Sequence, residues 1–236
     1  MSIKIENVGV YGFEAAIRGM RNPMNSWDRS DSEKCFNVEF CNKPIATCKE
    51  IGGYCVGDND LKLMRQLAKA GSVHAKYRRM ITVTCDITAP LYWWKEFDTY
   101  KVGTVRNSCS TMHKITAKEF TLDDFSHEHL LNENGVAVED WRSEWLEDLY
   151  ITIERLNCAR QCFTDTKDKK YWWQIIQLLP SSYNQRATVQ LNYEVLAGMC
   201  YWRKDHKLDE WHTFCEWVEN LPYSEIITGG NENGEN

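Results

Sequence analysis

The chain has 236 residues, 43% apolar, 26% charged and 12% aromatic, with 10 Trp, 11 Tyr and 8 Phe. That is enough for a sizeable core and excludes a disordered chain. No uncharged apolar run approaches the roughly 20 residues of a membrane helix. The opening Met1-Ser2-Ile3-Lys4-Ile5-Glu6 has no secretory apolar stretch, and a formal net charge of −6 argues against nucleic acid as the partner.

Ile3 to Val10 reads as a short strand, and Glu14 to Arg21 as a helix stopped before Pro23. Residues 22–57 are rich in Pro, Gly, Asn, Asp and Ser and read as a long excursion. A helix then starts near Asn59-Asp60, shows Leu61, Met64, Leu67 and Ala68 on one face, and stops at Gly71. Ile81 to Ile87 alternates β-branched residues and is the best strand signal in the chain. Pro90 suits the first turn of a helix running to Asp98. Residues 99–118 are polar and mixed. Trp141, Trp145, Leu149, Ile153 and Leu156 predict a long amphipathic helix over 139–163, its aromatic stripe read as core. Further helices are predicted over Tyr171–Leu179, 188–203 and His206–Leu221, with a frayed tail at 228–236. The resulting expectation is one α+β domain over 1–236 with a mostly antiparallel central sheet flanked by helices.

Ten cysteines are present: Cys35, Cys41, Cys48, Cys55, Cys85, Cys109, Cys158, Cys162, Cys200 and Cys215. None forms C-x-x-C, so they read as thiols in a reducing, cytoplasmic setting with no metal expected. A metal cluster over the first four is the alternative. His127-x-His129 beside Asp123-Asp124 has ligand types but sits in an expected loop.

Three stretches together resemble the flavin-dependent thymidylate synthases. The first is Asp60 to Gly71 followed by His74, where the family has a helix, a Gly and then a His-led motif. The second is Thr82-Val-Thr-Cys-Asp-Ile-Thr-Ala-Pro90, running without gaps into Thr99-Tyr-Lys-Val-Gly-Thr104-Val-Arg-Asn107-Ser-Cys-Ser-Thr-Met112. There the family carries Arg-His-Arg-x-x-Ser-x-Asn-Glu-x-Ser-x-Arg-Tyr. The third runs from Leu179-Pro180 through Asn192 to Arg203. They cover about 80 of the 236 residues.

The departures are as informative as the matches. Arg-His-Arg is Thr99-Tyr100-Lys101 here, the Ser that follows is Thr104, and Asn-Glu is Arg106-Asn107. The phosphate-holding Ser and Arg fall on Cys109 and Thr111. A one-residue shift places Asn107 and Ser110 on the family's Asn and Ser instead. The Arg preceding Leu-Pro falls on Ile176. Thr and Ile cannot replace planar Arg forks on a phosphate dianion, so the family's phosphate site is missing or rebuilt.

The resemblance implies nucleotide contacts from Arg203, Lys101, Thr104, Asn107 and Ser110. It implies a flavin (FAD) near His74 and Asn192. Arg78-Arg79, where the family has carboxylate or aromatic residues, reads first as a solvated turn; the alternative is a replacement phosphate clamp, with Arg78 a candidate cofactor contact. Two functions follow. One is FAD- and folate-dependent methylation of a pyrimidine nucleotide, using methylenetetrahydrofolate as the one-carbon donor. The other is a non-catalytic protein that binds or sequesters a nucleotide on the same scaffold. The resemblance also implies a homotetramer, with no membrane or nucleic-acid partner.

Overall fold

A computed structural model describes residues 3–35, 50–130 and 145–229. β1 (Lys4–Tyr11) turns into α1 (Phe13–Arg21) at Gly12, whose φ is +96°. A Cβ on Gly12 would collide with the Met80 carbonyl oxygen, so glycine is required there. β2 (Glu33–Lys34) pairs antiparallel with β3 (Tyr54–Cys55), Glu33 facing Cys55. Then come α2 (Asp58–Lys69), a 3-10 turn (Lys76–Met80), β4 (Thr82–Pro90) and α3 (Leu91–Phe97). They are followed by β5 (Val105–Ser108), the short α4 (Thr111–Lys114), α5 (Trp145–Thr166) and α6 (Lys169–Leu178). The chain closes with β6 (Asn184–Asn192), α7 (Tyr193–Arg203), α8 (Asp209–Glu219) and α9 (Glu225–Thr228). The central antiparallel sheet has strand order β1-β4-β6-β5. This is the mixed helix-and-strand class that the patterning predicts.

Two compact units are distinguished. The first comprises Met1–Lys4, Ile87–Thr99 and Asn107–Ala187. Its core gathers Ile115, Phe120, Phe125, Leu149, Ile153, Leu156 and Ile175. Asn157 on α5 holds this core's loop at both backbone groups of Phe120: its Nδ2 donates to the carbonyl at 2.9 Å and its Oδ1 accepts from the N–H at 2.8 Å. In α3, Trp93, Trp94 and Phe97 are fully buried and stack with ring centroids 5.0–5.2 Å apart. Trp94 is buried without loss because its Nε1 donates to the Gln185 carbonyl at 2.9 Å.

The second unit comprises Ile5–Asp86, Tyr100–Arg106 and Thr188–Asn236. Phe13, Ile17, Met64, Tyr193, Leu196, Trp211, Phe214 and Ile226 form its apolar interior. Tyr193 lies edge-on to Phe13, and its hydroxyl donates to the Pro222 carbonyl at 2.6 Å. On the sheet, Asp86 of β4 accepts from Asn7 of β1 at 2.8 Å and from Thr188 of β6 at 2.6 Å. One carboxylate thus bridges three strands.

Several expectations are corrected. Residues 188–203 are not one helix: β6 runs to Asn192 and α7 starts at the next residue. Ala187, Val189 and Leu191 alternate inward, a period of two. Pro90 is not inside a helix; it ends β4 in extended conformation, φ −67° and ψ 151°, and caps α3. The polar stretch 99–118 contains β5 and α4. In α5, Leu149, Ile153 and Leu156 are core, but Trp145 is 42% exposed. Arg78 is not solvated; it is 3% exposed, while Arg79 is exposed. Trp141, Cys41 and Cys48 lie outside the described residues, as does the start of the predicted 139–163 helix.

The second unit also contains a buried ion pair. Arg21 Nε donates to Asp60 Oδ1 at 2.5 Å, and Asp60 is completely buried. Asp60 Oδ2 accepts from the hydroxyls of Ser30 and Ser32, at 2.7 and 2.6 Å, and from the N–H groups of Asp31 and Ser32. Burial pushes the Asp60 carboxyl up, but the Ser32 and Ser30 hydroxyls and Arg21 together hold it below the usual carboxylate value. Asp60→Ala should therefore cost about 3–5 kcal/mol in a denaturant melt, since it strands a buried guanidinium. Because the folded value is depressed, this stabilisation is complete above an unfolded value of about 4 and is lost as pH falls through the folded one. The variant's stability should accordingly change less than the wild type's between pH 6 and pH 3.

Candidate functional site

His74, Arg78, Lys101, Thr104, Asn192 and Arg203 belong to the second unit, and Asn107 and Ser110 to the first. α7 organises most of the former set. Asn192 caps it: the side-chain Oδ1 accepts from the Val195 N–H at 3.0 Å. Gly103 lies against this cap with φ +77°; a Cβ there would come within 2.8 Å of Asn192 Nδ2 and 3.0 Å of Val195 Cγ2. The next residue, Thr104, has a buried hydroxyl with no hydrogen-bond partner. Glu194, in the first turn, faces Arg78 at 3.6 Å. Arg78 Nε and Nη2 and Glu194 Oε2 are buried without hydrogen-bond partners.

Arg203 stands at the opposite end of α7, ~16 Å along the axis at 1.5 Å per residue. A cation suits the last turn of a helix. Its Nε donates to the Tyr100 hydroxyl at 2.9 Å. Its guanidinium carbon lies 5.4 Å from the Tyr100 ring centre and 4.9 Å from that of Trp211 on α8. The two rings favour its charge, and the Tyr100 hydroxyl orients it. The segment Tyr100–Arg106 therefore touches α7 at both ends, through Tyr100 and through Gly103. Lys101 is exposed on this segment, and His74 is exposed in the turn after α2.

In the first unit, Ser110 caps α4, its Oγ accepting from the His113 N–H at 3.3 Å. It lines a cleft of about 250 Å³ together with Thr111, Lys114, Lys118, Asp124 and Arg186. Lys118 pairs with Asp124 across this lining. Burial pushes the Tyr183 phenol on the same cleft up to about 12. The Cys109 N–H donates to the Arg186 carbonyl at 2.8 Å, and Gln185 Nε2 donates to the Cys109 carbonyl at 2.8 Å. Asn107 is exposed on β5.

His127 is in a loop, with Nδ1 2.8 Å from the Phe125 carbonyl. No group of three or more metal-ligating side chains occurs among the described residues. Cys85 is buried, which pushes its thiol up to about 12 and makes it inert. No helix among the described residues is long and apolar enough to cross a membrane.

Sequence reasoning missed Tyr100 and Trp211 as the platform for Arg203, and Glu194 as the partner of Arg78. Gly103 was legible only as a break. A Gly flanked by polar residues before a hydroxyl residue signals a close backbone approach, but not what it approaches.

No family model and no curated protein matches the chain. Solved structures do. Thymidylate synthase X (ThyX) from Helicobacter pylori with FAD and dUMP is similar over 99% of this chain and 100% of that one, with a TM-score of 0.63 and 14% identity. The UMP/dUMP methylase PolB from Streptomyces cacaoi, bound with 5-Br dUMP, is similar over 97% and 96%, with a TM-score of 0.59 and 14% identity. The chain thus has the fold of flavin-dependent thymidylate synthases, in a strongly diverged sequence.

The tight approach at Gly103 has a direct consequence. Gly103→Ala combines a left-handed backbone with a blocked Cβ and should destabilise by about 1–3 kcal/mol. A thermal melt should show a drop of roughly 2–4 °C per kcal/mol. An unchanged melting temperature would mean that the segment does not pack on the α7 cap.

Proposed function

We propose that the protein binds a pyrimidine-type nucleotide along the segment Tyr100–Arg106, which meets α7 at both ends, without flavin chemistry. The observation that carries this reading is Arg203, held by its hydrogen bond to the Tyr100 hydroxyl and set beside the rings of Tyr100 and Trp211. Thr104, with its unpartnered buried hydroxyl, lies on the segment that carries Tyr100. An oriented guanidinium can donate to a pyrimidine carbonyl, and a stranded hydroxyl gains a partner when ligand arrives. The fold likeness to proteins solved with dUMP and with 5-Br dUMP supports a nucleotide as the ligand class. Lys101 is proposed as a further contact of this site; Asn107 and Ser110, which belong to the first unit, are proposed as nucleotide contacts on that unit.

The catalytic reading is FAD- and folate-dependent methylation, supported by the FAD in the Helicobacter pylori structure. FAD would supply hydride transfer. His74, Arg78 and Asn192 would be its contacts. The engagement of Asn192 Oδ1 in the α7 cap and the burial of Arg78, 3% exposed against Glu194, favour the reading without flavin. The proposed assembly is a homotetramer in a reducing, cytoplasmic compartment.

Calorimetric titration of dUMP and UMP tests the nucleotide reading. Arg203→Lys keeps the charge but loses the planar fork, and should weaken binding about 10–100-fold, or roughly 1.5–3 kcal/mol. Thr104→Val should fold at least as stably, since it deletes a stranded polar atom, yet bind more weakly. Binding unchanged in both variants would refute the site. The visible spectrum of the purified protein separates the readings: flavin absorption supports the enzyme, and its absence with nucleotide bound supports the non-catalytic protein. Light scattering should give four times the 27.7 kDa chain mass; a monomer mass rejects the tetramer.

A further inference from the structure

We propose that a cleft beside the end of α1 and the first turns of α2 is a separate anion site, shaped for the phosphate or pyrophosphate group of a small molecule. The inference goes beyond the nucleotide reading and does not rest on it. The cleft encloses about 530 Å³, a volume typical of small-molecule sites. Arg21, Asn25, Arg29, Lys62 and Gln66 line it, and Asp28 is the one carboxylate among the lining residues. A wall this rich in donors and cations favours an anion over a neutral or cationic ligand.

Arg21 distinguishes this cleft from an ordinary patch of surface lysines. It is 3% exposed yet lines the cleft. Its Nε is committed to Asp60 and its Nη1 to the Ser26 carbonyl at 3.2 Å, while Nη2 is buried with no hydrogen-bond partner. A buried N–H without an acceptor costs about 1–3 kcal/mol, and an anion oxygen in the cleft would offset that cost. The two committed nitrogens also stop the guanidinium from swinging away, so the donor is preorganised.

The rim supplies the remaining charge. Arg29 and Lys62 are exposed at the cleft. Asn59 Nδ2 donates to the Arg29 carbonyl at 2.6 Å and steadies that arm's backbone. Arg offers the fork that matches phosphate oxygens, and Lys a mobile point charge. The anion proposed here would set one oxygen against the Arg21 guanidinium and turn the others toward Arg29 and Lys62.

Titration of inorganic pyrophosphate and of ADP into the full chain at 0.15 M salt tests this. Both should bind with dissociation constants below about 1 mM. Lys62→Glu should weaken both at least tenfold with an unchanged thermal melt, because Lys62 is exposed. Lys69→Glu makes the same charge change on α2 outside this cleft and should shift affinity less than twofold. ADP binding more tightly than pyrophosphate would identify an ester as the ligand; equal affinities would identify the phosphates alone. Three results would overturn the proposal. One is no pyrophosphate binding by the wild type. Another is equal weakening by Lys69→Glu, which would mean overall charge is responsible. The third is loss of pyrophosphate binding in Arg203→Lys but not in Lys62→Glu, which would assign it to the nucleotide site. Conversely, failed dUMP binding with pyrophosphate binding intact would sink the nucleotide reading and leave this one standing.

Discussion

The turn from β6 into α7 has no connecting residue: the strand ends at Asn192 and the helix begins at Tyr193. A helix start leaves orphan N–H groups, and here a single side chain must help satisfy them before the chain has left the sheet. Asn192 does so through Val195. The rotation of α7 is thereby tied to the register of the strand. That rotation aims Glu194 at Arg78 in the first turn and Arg203 at Tyr100 and Trp211 in the last. β4 enters α3 in the same way, with Pro90 as the joint, and there the geometry buries Trp93, Trp94 and Phe97. Loopless joints transmit strand register into side-chain placement.

Two buried ion pairs in the second unit illustrate opposite solutions. Around Asp60, five donors converge on one carboxylate, and the pair anchors residues 26–32 to the start of α2. Such a pair recovers much of its desolvation cost through hydrogen bonds. Arg78 and Glu194 are 3.6 Å apart, and three of their polar atoms have no hydrogen-bond partner. Desolvation there is poorly offset, and apolar residues of similar shape would fold at least as well. Stability accounts for the first pair and does not account for the second.

How much of this was legible in the sequence depends on where the controlling interaction lies. β4 was readable because its alternation is local and β-branched, and the core face of α5 because Leu149, Ile153 and Leu156 repeat at helical spacing. β6 was hidden by its own junction. No Gly or Pro separates Pro180 from Gly198, so alternation at 185–191 ran unpunctuated into an apolar helix and the two periods merged. β5 has four residues, three of them polar, too few to show a period. At the site, spacing drew attention to Asn192 and Arg203, but the Tyr100–Arg203 contact joins residues 103 apart. Arg78 pairs with Glu194, also distant in sequence, and nothing in Arg78-Arg79 itself distinguishes the buried cation from the exposed one.

The altered segment Thr99-Tyr100-Lys101 gains a physical rationale from this arrangement. It stands where the resembled family has Arg-His-Arg. A histidine at position 100 would be a titrating neighbour for Arg203 and would repel it when protonated. Tyrosine instead brings a ring face and a hydroxyl acceptor, and the structure uses both on the same guanidinium. An oriented cation of this kind offers planar donors, which suit a neutral ring carbonyl better than a dianion that needs several converging forks.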